Sequence, residues 1–138
     1  MRYAELRQRL QDAVLDPPGH APGELRHAAF ARAARLAGAD AGGRTAAALP
    51  HALTPYVDKV ARHAYQVTDA DVIAVQRAGN SEDAVFEITV AAALGAALGR
   101  LERGLRALSS PPDTLSATRS SAPDPLSAKR RGGTQGES

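Results

Sequence analysis

Residues 68–108, TDADVIAVQRAGNSEDAVFEITVAAALGAALGRLERGLRAL, decide the fold class. They read as a short helix, a tight glycine turn and one long apolar helix. Thr68 is placed to cap the shorter helix, its side-chain oxygen accepting from a free first-turn N–H. Asp71, three residues on, completes a capping-box pattern. Asp69 and Asp71 also put negative charge where the helix dipole favours it. Gly79 ends that helix, because the residue after a helix usually needs positive φ and glycine adopts it without a Cβ clash. Asn80 or Ser81 then caps the next helix, with Glu82 and Asp83 in its first turn.

The long helix, about residues 82–108, carries no charge between Glu87 and Arg100. A solvent-facing helix shows a polar stripe at every turn, whereas ITVAAALGAALG is apolar all round apart from Thr89. Those twelve residues are too few to span a bilayer, and alanine and glycine are weak drivers of insertion. The expectation is a central helix buried on several sides, with no membrane partner. Ala91, Gly95 and Gly99 lie four apart and form a ridge of very small side chains, against which another helix or a second copy of this one can pack closely. A glycine inside a helix costs up to ~1 kcal/mol against alanine, so close packing must offset it.

At 138 residues the chain is sized for one domain. Hydrophobic content is 43%, but alanine supplies much of it and aromatics are 4%, so each side chain buries little area. A thin monomeric core points to a homo-oligomer, with Ala91, Gly95 and Gly99 as its contact ridge. The absence of cysteine excludes disulfides, thiolate nucleophiles and Cys-ligated metals from within the chain. No leader or transmembrane pattern is recognisable, which places the protein in the cytoplasm. The net charge of +2 is small and the cations are scattered, so no nucleic-acid partner is expected.

Outward from the central stretch, residues 2–15 set Leu6, Leu10 and Val14 four apart with Tyr3 near the same side, an amphipathic helix. Asp16-Pro17-Pro18-Gly19 ends it, since prolines remove N–H donors and disfavour helix before them. A second helix, roughly 24–37, aligns Leu25, Ala29, Ala33 and Leu36. Residues 38–43 form a loop, and residues 44–49 a short helical turn before Pro50. The helix at about 55–66 has Thr54 as N-cap, Pro55 at its first position, and an apolar face of Leu53, Val57, Val60 and Ala64. Tyr56 and His63 lie two turns apart at its edge. Valines occur singly, so no strand emerges: the reading is an all-α domain of about five helices over residues 1–108. Residues 109–138 are nearly half Ser, Thr or Pro with two large apolar groups, Leu115 and Leu126. Such a segment cannot bury enough surface to offset its ordering entropy and reads as a disordered tail.

Two runs, LPHALTPYVDKVARHAY and VTDADVIAVQRAGNSEDAVFEITVAAALGAALGRL, resemble the carboxymuconolactone decarboxylase / alkylhydroperoxidase D-like superfamily. The likeness lies in a Thr/Ser-Asp cap, a helix, Ala-Gly, Ser-Glu/Asp, and a long small-residue helix with a late arginine. It covers residues 49–108, and it implies a helical bundle and oligomeric assembly. Peroxidase-active members use a Cys-x-x-Cys pair with a nearby His and Glu, and this chain has no cysteine, so thiol peroxidase activity is not expected. The acid/base residues of decarboxylase members find no residue-by-residue match.

Candidate chemistry centres on Glu87, His63 and Tyr56. Glu87 sits one turn into a helix that then stays apolar. It is either a partly buried general acid or base with a raised pKa, or an exposed first-turn residue paired with Arg62 or Arg77. His63 either pairs with Glu87, binds a substrate beside Tyr56, or is an edge residue of an amphipathic helix. His20, His27, His51 and His63 show no spacing that brackets a metal. The glycines show neither P-loop nor dinucleotide spacing, so no cofactor is expected. Two function classes follow: a cofactor-free enzyme or degenerate relative with a pocket near these three residues, or a non-catalytic helical oligomerisation or binding module. Convergence of the three side chains on one cavity separates the classes.

Overall fold

In the computed structural model, which describes residues 2–40 and 48–109, the caps around the central turn close the helix ends as their chemistry dictates. Among the described residues five α-helices form: α1 (Arg2–Leu15), α2 (Gly23–Leu36), α3 (Thr54–His63), α4 (Asp69–Arg77) and α5 (Glu82–Ser109). A 3-10 turn, Ala64–Gln66, follows α3, and no strand occurs among the described residues, so the fold is all-α. The expected turn at 44–49, in its first four residues, and the expected disordered tail beyond Ser109 lie outside the described residues.

Thr68 Oγ1 accepts from the Asp71 amide at 3.3 Å, and Asp71 Oδ2 accepts from the Thr68 amide at 2.9 Å. The capping box therefore satisfies two first-turn donors reciprocally. Gly79 takes φ of 106° after α4. The two candidate caps beyond it divide the work. Ser81 Oγ accepts from the Ala84 amide at 3.1 Å and caps α5. Asn80 donates from Nδ2 to the Val75 carbonyl at 3.0 Å and closes the end of α4.

α3 departs from its sequence reading at both ends. Thr54 is already helical, and its hydroxyl donates back to the Pro50 carbonyl at 3.3 Å instead of capping. The helix stops at His63, whose φ of −144° breaks the register before the 3-10 turn. Ala64 consequently swings out and is exposed, and Ala61 joins Leu53, Val57 and Val60 on the buried face.

α5 packs one side against the body: Ile88, Ala91 and Ala92 are fully buried, whereas Phe86, Ala93, Ala97 and Arg100 form an exposed stripe along it, which corrects the expectation of a helix buried on several sides. A Cβ at Gly95 would overlap the Phe30 carbonyl, and one at Gly99 would overlap the Ala34 carbonyl. The small-residue ridge therefore receives α2 of the same chain. This corrects the expectation that Ala91, Gly95 and Gly99 present a homo-oligomer interface: backbone-to-backbone approach inside the fold has consumed them. The apolar reach of α5 also exceeds the twelve residues counted between its charges. An 18-residue window reaches a mean hydropathy of 1.6, long and apolar enough by composition to cross a membrane, with half of it buried inside the fold.

Polar ties fix the helices to one another. Arg32 grips Asp58 with both Nε and Nη2, the latter at 2.8 Å, joining α2 to α3. Lys59 Nζ reaches both Asp71 carboxylate oxygens, at 3.0 and 2.9 Å, joining α3 to α4. Arg100 donates to the Ala61 carbonyl, joining α5 to α3.

α1 is the second departure. It turns Arg7, Gln11, Val14 and Leu15 inward, and Arg7 meets Glu102 of α5 at 3.5 Å. Its apolar stripe faces sideways. Tyr3 is 44%, Leu6 62% and Leu10 49% exposed, although their spacing predicted a core-facing set.

Candidate functional site

The loop between α1 and α2 carries three prolines, Pro17, Pro18 and Pro22, and therefore cannot donate backbone hydrogen bonds at those positions. It is held from outside. Glu87, one turn into α5, accepts from the backbone amides of His20 at 2.9 Å and Ala21 at 2.7 Å. Those two N–H groups, Ala21 first, hold its carboxyl below the usual carboxylate range, and the nearby Arg26 guanidinium adds to the effect. Of the two readings, the buried acid or base with a raised pKa is thereby excluded: a carboxylate wrapped by amide donors is a firm anion, poorly suited to deliver or take a proton near neutral pH. Neither Arg62 nor Arg77 is its partner. Gly19 completes the clamp, because a Cβ there would stand 2.6 Å from a Glu87 carboxylate oxygen.

From the other side Arg26 holds the same loop. It is 5% exposed, and its guanidinium donates to the Val14 carbonyl at 3.1 Å and to the Pro17 carbonyl. Arg26 was not among the candidates. Its signal in the sequence was position: it lies three and seven residues before Ala29 and Ala33, on the face of α2 that is otherwise apolar.

Tyr56 is not at an edge but 6% exposed in the core. Its hydroxyl lies 2.5 Å from Thr89 Oγ1, and Thr89 donates its own proton to the Val85 carbonyl at 2.7 Å. The phenol is thus the donor of the pair, and both hydroxyls are spent within the fold. His63 is exposed, edge-on to the Tyr65 ring with centroids 6.0 Å apart. The three candidates therefore do not converge: Glu87 serves the α1–α2 loop, Tyr56 serves α5, and His63 stands at the end of α3.

His63 does border a cavity of about 620 Å³, shared with Leu36, Ala37, Ala61, Arg62, Arg100, Arg103, Gly104 and Ala107. The cavity joins an apolar floor to three guanidinium groups and contains no carboxylate among its lining residues. No three His, Cys, Asp or Glu side chains among the described residues are grouped so as to hold a metal ion. Among protein-family models, curated proteins and solved structures, none matches this chain.

Proposed function

We propose that this chain is a non-catalytic helical module that acts by self-association, a cysteine-less relative of the carboxymuconolactone decarboxylase / alkylhydroperoxidase D-like fold. The observation that carries the reading is an inversion of the usual division of labour. Glu87 and Tyr56, two of the three side chains suited to chemistry, are spent on internal hydrogen bonds, while large apolar groups are left in solvent. Besides Tyr3, Leu6 and Leu10 on α1, Leu101, Leu105 and Leu108 on α5 are 40%, 43% and 85% exposed. α1 runs antiparallel to α5, since Arg7 meets Glu102 while the loop after α1 meets Glu87. Both apolar sets therefore lie toward the same end of the molecule.

Isolated exposed leucines are normal, but a grouped set marks an association surface. A second copy is the occupant that fits. A two-fold contact presents the same patch on both subunits and needs no other protein. The capped α4–Gly79–α5 hairpin supports the family relation, and the lack of any cysteine supports loss of its thiol chemistry.

Sedimentation equilibrium tests the association. Wild type is expected to assemble at micromolar concentration, and Leu6→Glu/Leu10→Glu to sediment as a monomer with unchanged helical circular dichroism. A wild-type monomer, or a double variant of unchanged mass, overturns it. Hydroperoxide consumption with a thiol reductant is expected to stay at the buffer rate, because no thiolate exists to attack the O–O bond. Turnover above buffer would defeat the non-catalytic reading.

A further inference from the structure

The cavity at the junction of α2, α3 and α5 has a chemistry of its own, independent of self-association. Its floor is Leu36, Ala37, Ala61, Gly104 and Ala107, and its rim carries Arg62, His63, Arg100 and Arg103. Its volume of about 620 Å³ lies in the ~300–1,000 Å³ range of small-molecule sites, which pair apolar walls with a few placed polar groups.

The rim cations are not equivalent. Arg100 is occupied with the Ala61 carbonyl and belongs to the scaffold. Arg103 lays its aliphatic stem beside Gly38, where an added Cβ would stand 2.8 Å from its Cδ, and the residue lines the cavity. Neither Arg62 nor Arg103 forms an ion pair with a described residue, although Asp58, one turn before Arg62, feels its charge. Three other arginines do have such partners, Arg7 with Glu102, Arg32 with Asp58, and Arg106 with Asp40 and Glu102, so what sets Arg62 and Arg103 apart is their place beside an apolar floor. Two unpaired guanidinium groups over an apolar floor select one ligand type. A neutral apolar molecule leaves the cations unserved, and an inorganic anion leaves the floor wet.

We propose that this cavity binds an amphipathic organic anion, its hydrocarbon body on the Leu36–Ala61–Ala107 floor and its carboxylate or phosphate between Arg62 and Arg103. Guanidinium groups suit both headgroups through paired N–H donors.

Uniformly 15N-labelled full-length protein titrated with octanoate, octyl phosphate and octanol tests the assignment. Either anion is expected to shift the amides of Ala61, His63, Gly104 and Ala107 saturably, and the better of the two identifies the headgroup. Octanol is expected to bind at least tenfold more weakly, and Arg62→Gln/Arg103→Gln to weaken the anion at least tenfold with helical content retained. If that pair unfolds, Arg62→Gln alone, on the exposed last turn of α3, carries the test. Equal binding of octanol, an unchanged affinity in the variant, or shifts confined to the amides of Leu6 and Leu101 overturns the proposal. The last outcome would place the ligand on the association surface, and the mass measurement on Leu6→Glu/Leu10→Glu remains separate from all three.

Discussion

Glu87 couples protonation to the path of the chain before α2. Its pKa lies below the ordinary value of 4.5 in the folded state, because the Ala21 and His20 amides donate to the ionised form. A depressed folded pKa means that the unfolded chain binds the proton more readily. The stabilisation is therefore complete above the unfolded pKa and is lost as pH falls through the folded one. Glu87→Gln keeps the shape but removes the charge, leaving one carbonyl oxygen where two stood. Hydrogen bonds to charged groups contribute ~1.5–3 kcal/mol each, and partial exposure reduces that, so a loss of about 1–2 kcal/mol is expected near neutral pH. The gap between wild type and variant should close in acid. Urea midpoints measured at neutral pH and again well below the carboxylate range check this. A gap that stays constant would mean that packing at Gly19, not charge, holds the loop. None of this was legible beforehand, because a carboxylate that accepts from loop amides 66 and 67 residues away leaves no local spacing to read. Arg26 was more accessible, since a cation on an apolar helix face must find partners or be expelled.

Within α5, glycines of one helix have opposite roles. An added Cβ at Gly95 would overlap the Phe30 carbonyl, while at Gly104 it would meet nothing within 4 Å. Helix propensity favours alanine over glycine by up to ~1 kcal/mol at either site. At Gly95 the clash with a rigid backbone outweighs that gain, so Gly95→Ala is expected to lower Tm and Gly95→Leu to cost ~1–3 kcal/mol or more by forcing α2 away. Gly104→Ala is expected to raise Tm. Thermal melts of the three variants decide it, and a Gly95→Leu protein as stable as wild type would deny the close approach. The element boundaries could be read because capping is local: Thr68 with Asp71, Gly79, and Ser81 act within four residues. Tertiary pairing was not readable in the same way. The ridge spacing announced a close neighbour but not its identity, and α2 arrived instead of a second copy. Likewise the Tyr3–Leu6–Leu10 stripe announced something apolar to cover. Leu15, Val14 and the Arg7–Glu102 pair rotate α1 so that the stripe turns aside from the body. Where Ala64 failed to continue the α3 face, the cause was the break at His63, a change of helix type that periodicity assumes away.

Across the whole molecule the core is built largely of small groups. Ala21, Ala29, Ala33, Ala37, Ala61, Ala84, Ala92 and Ala96 make up much of its main cluster, with Ile88, Val57 and Tyr56 among its larger members. Each alanine removes little area from water, at ~25 cal/mol per Å², so close helix approach substitutes for bulk. A domain built this way has a modest apolar reserve, yet it leaves seven large side chains of α1 and α5 in solvent, six of them at one end and Phe86 near the other. The proposed self-association would recover that reserve, because each leucine buried against a second copy contributes on the order of 1.5–3 kcal/mol when fully covered. Stability then becomes a function of protein concentration, since a partner that binds the folded state but not the unfolded one shifts the equilibrium by mass action. The expected result is a Tm that climbs steadily when the concentration is raised a hundredfold, and that climbs no longer in Leu6→Glu/Leu10→Glu. Differential scanning calorimetry across that range makes the comparison. A wild-type Tm independent of concentration would show that the alanine core suffices alone, and the exposed stripes of α1 and α5 would then contribute nothing to holding the fold together.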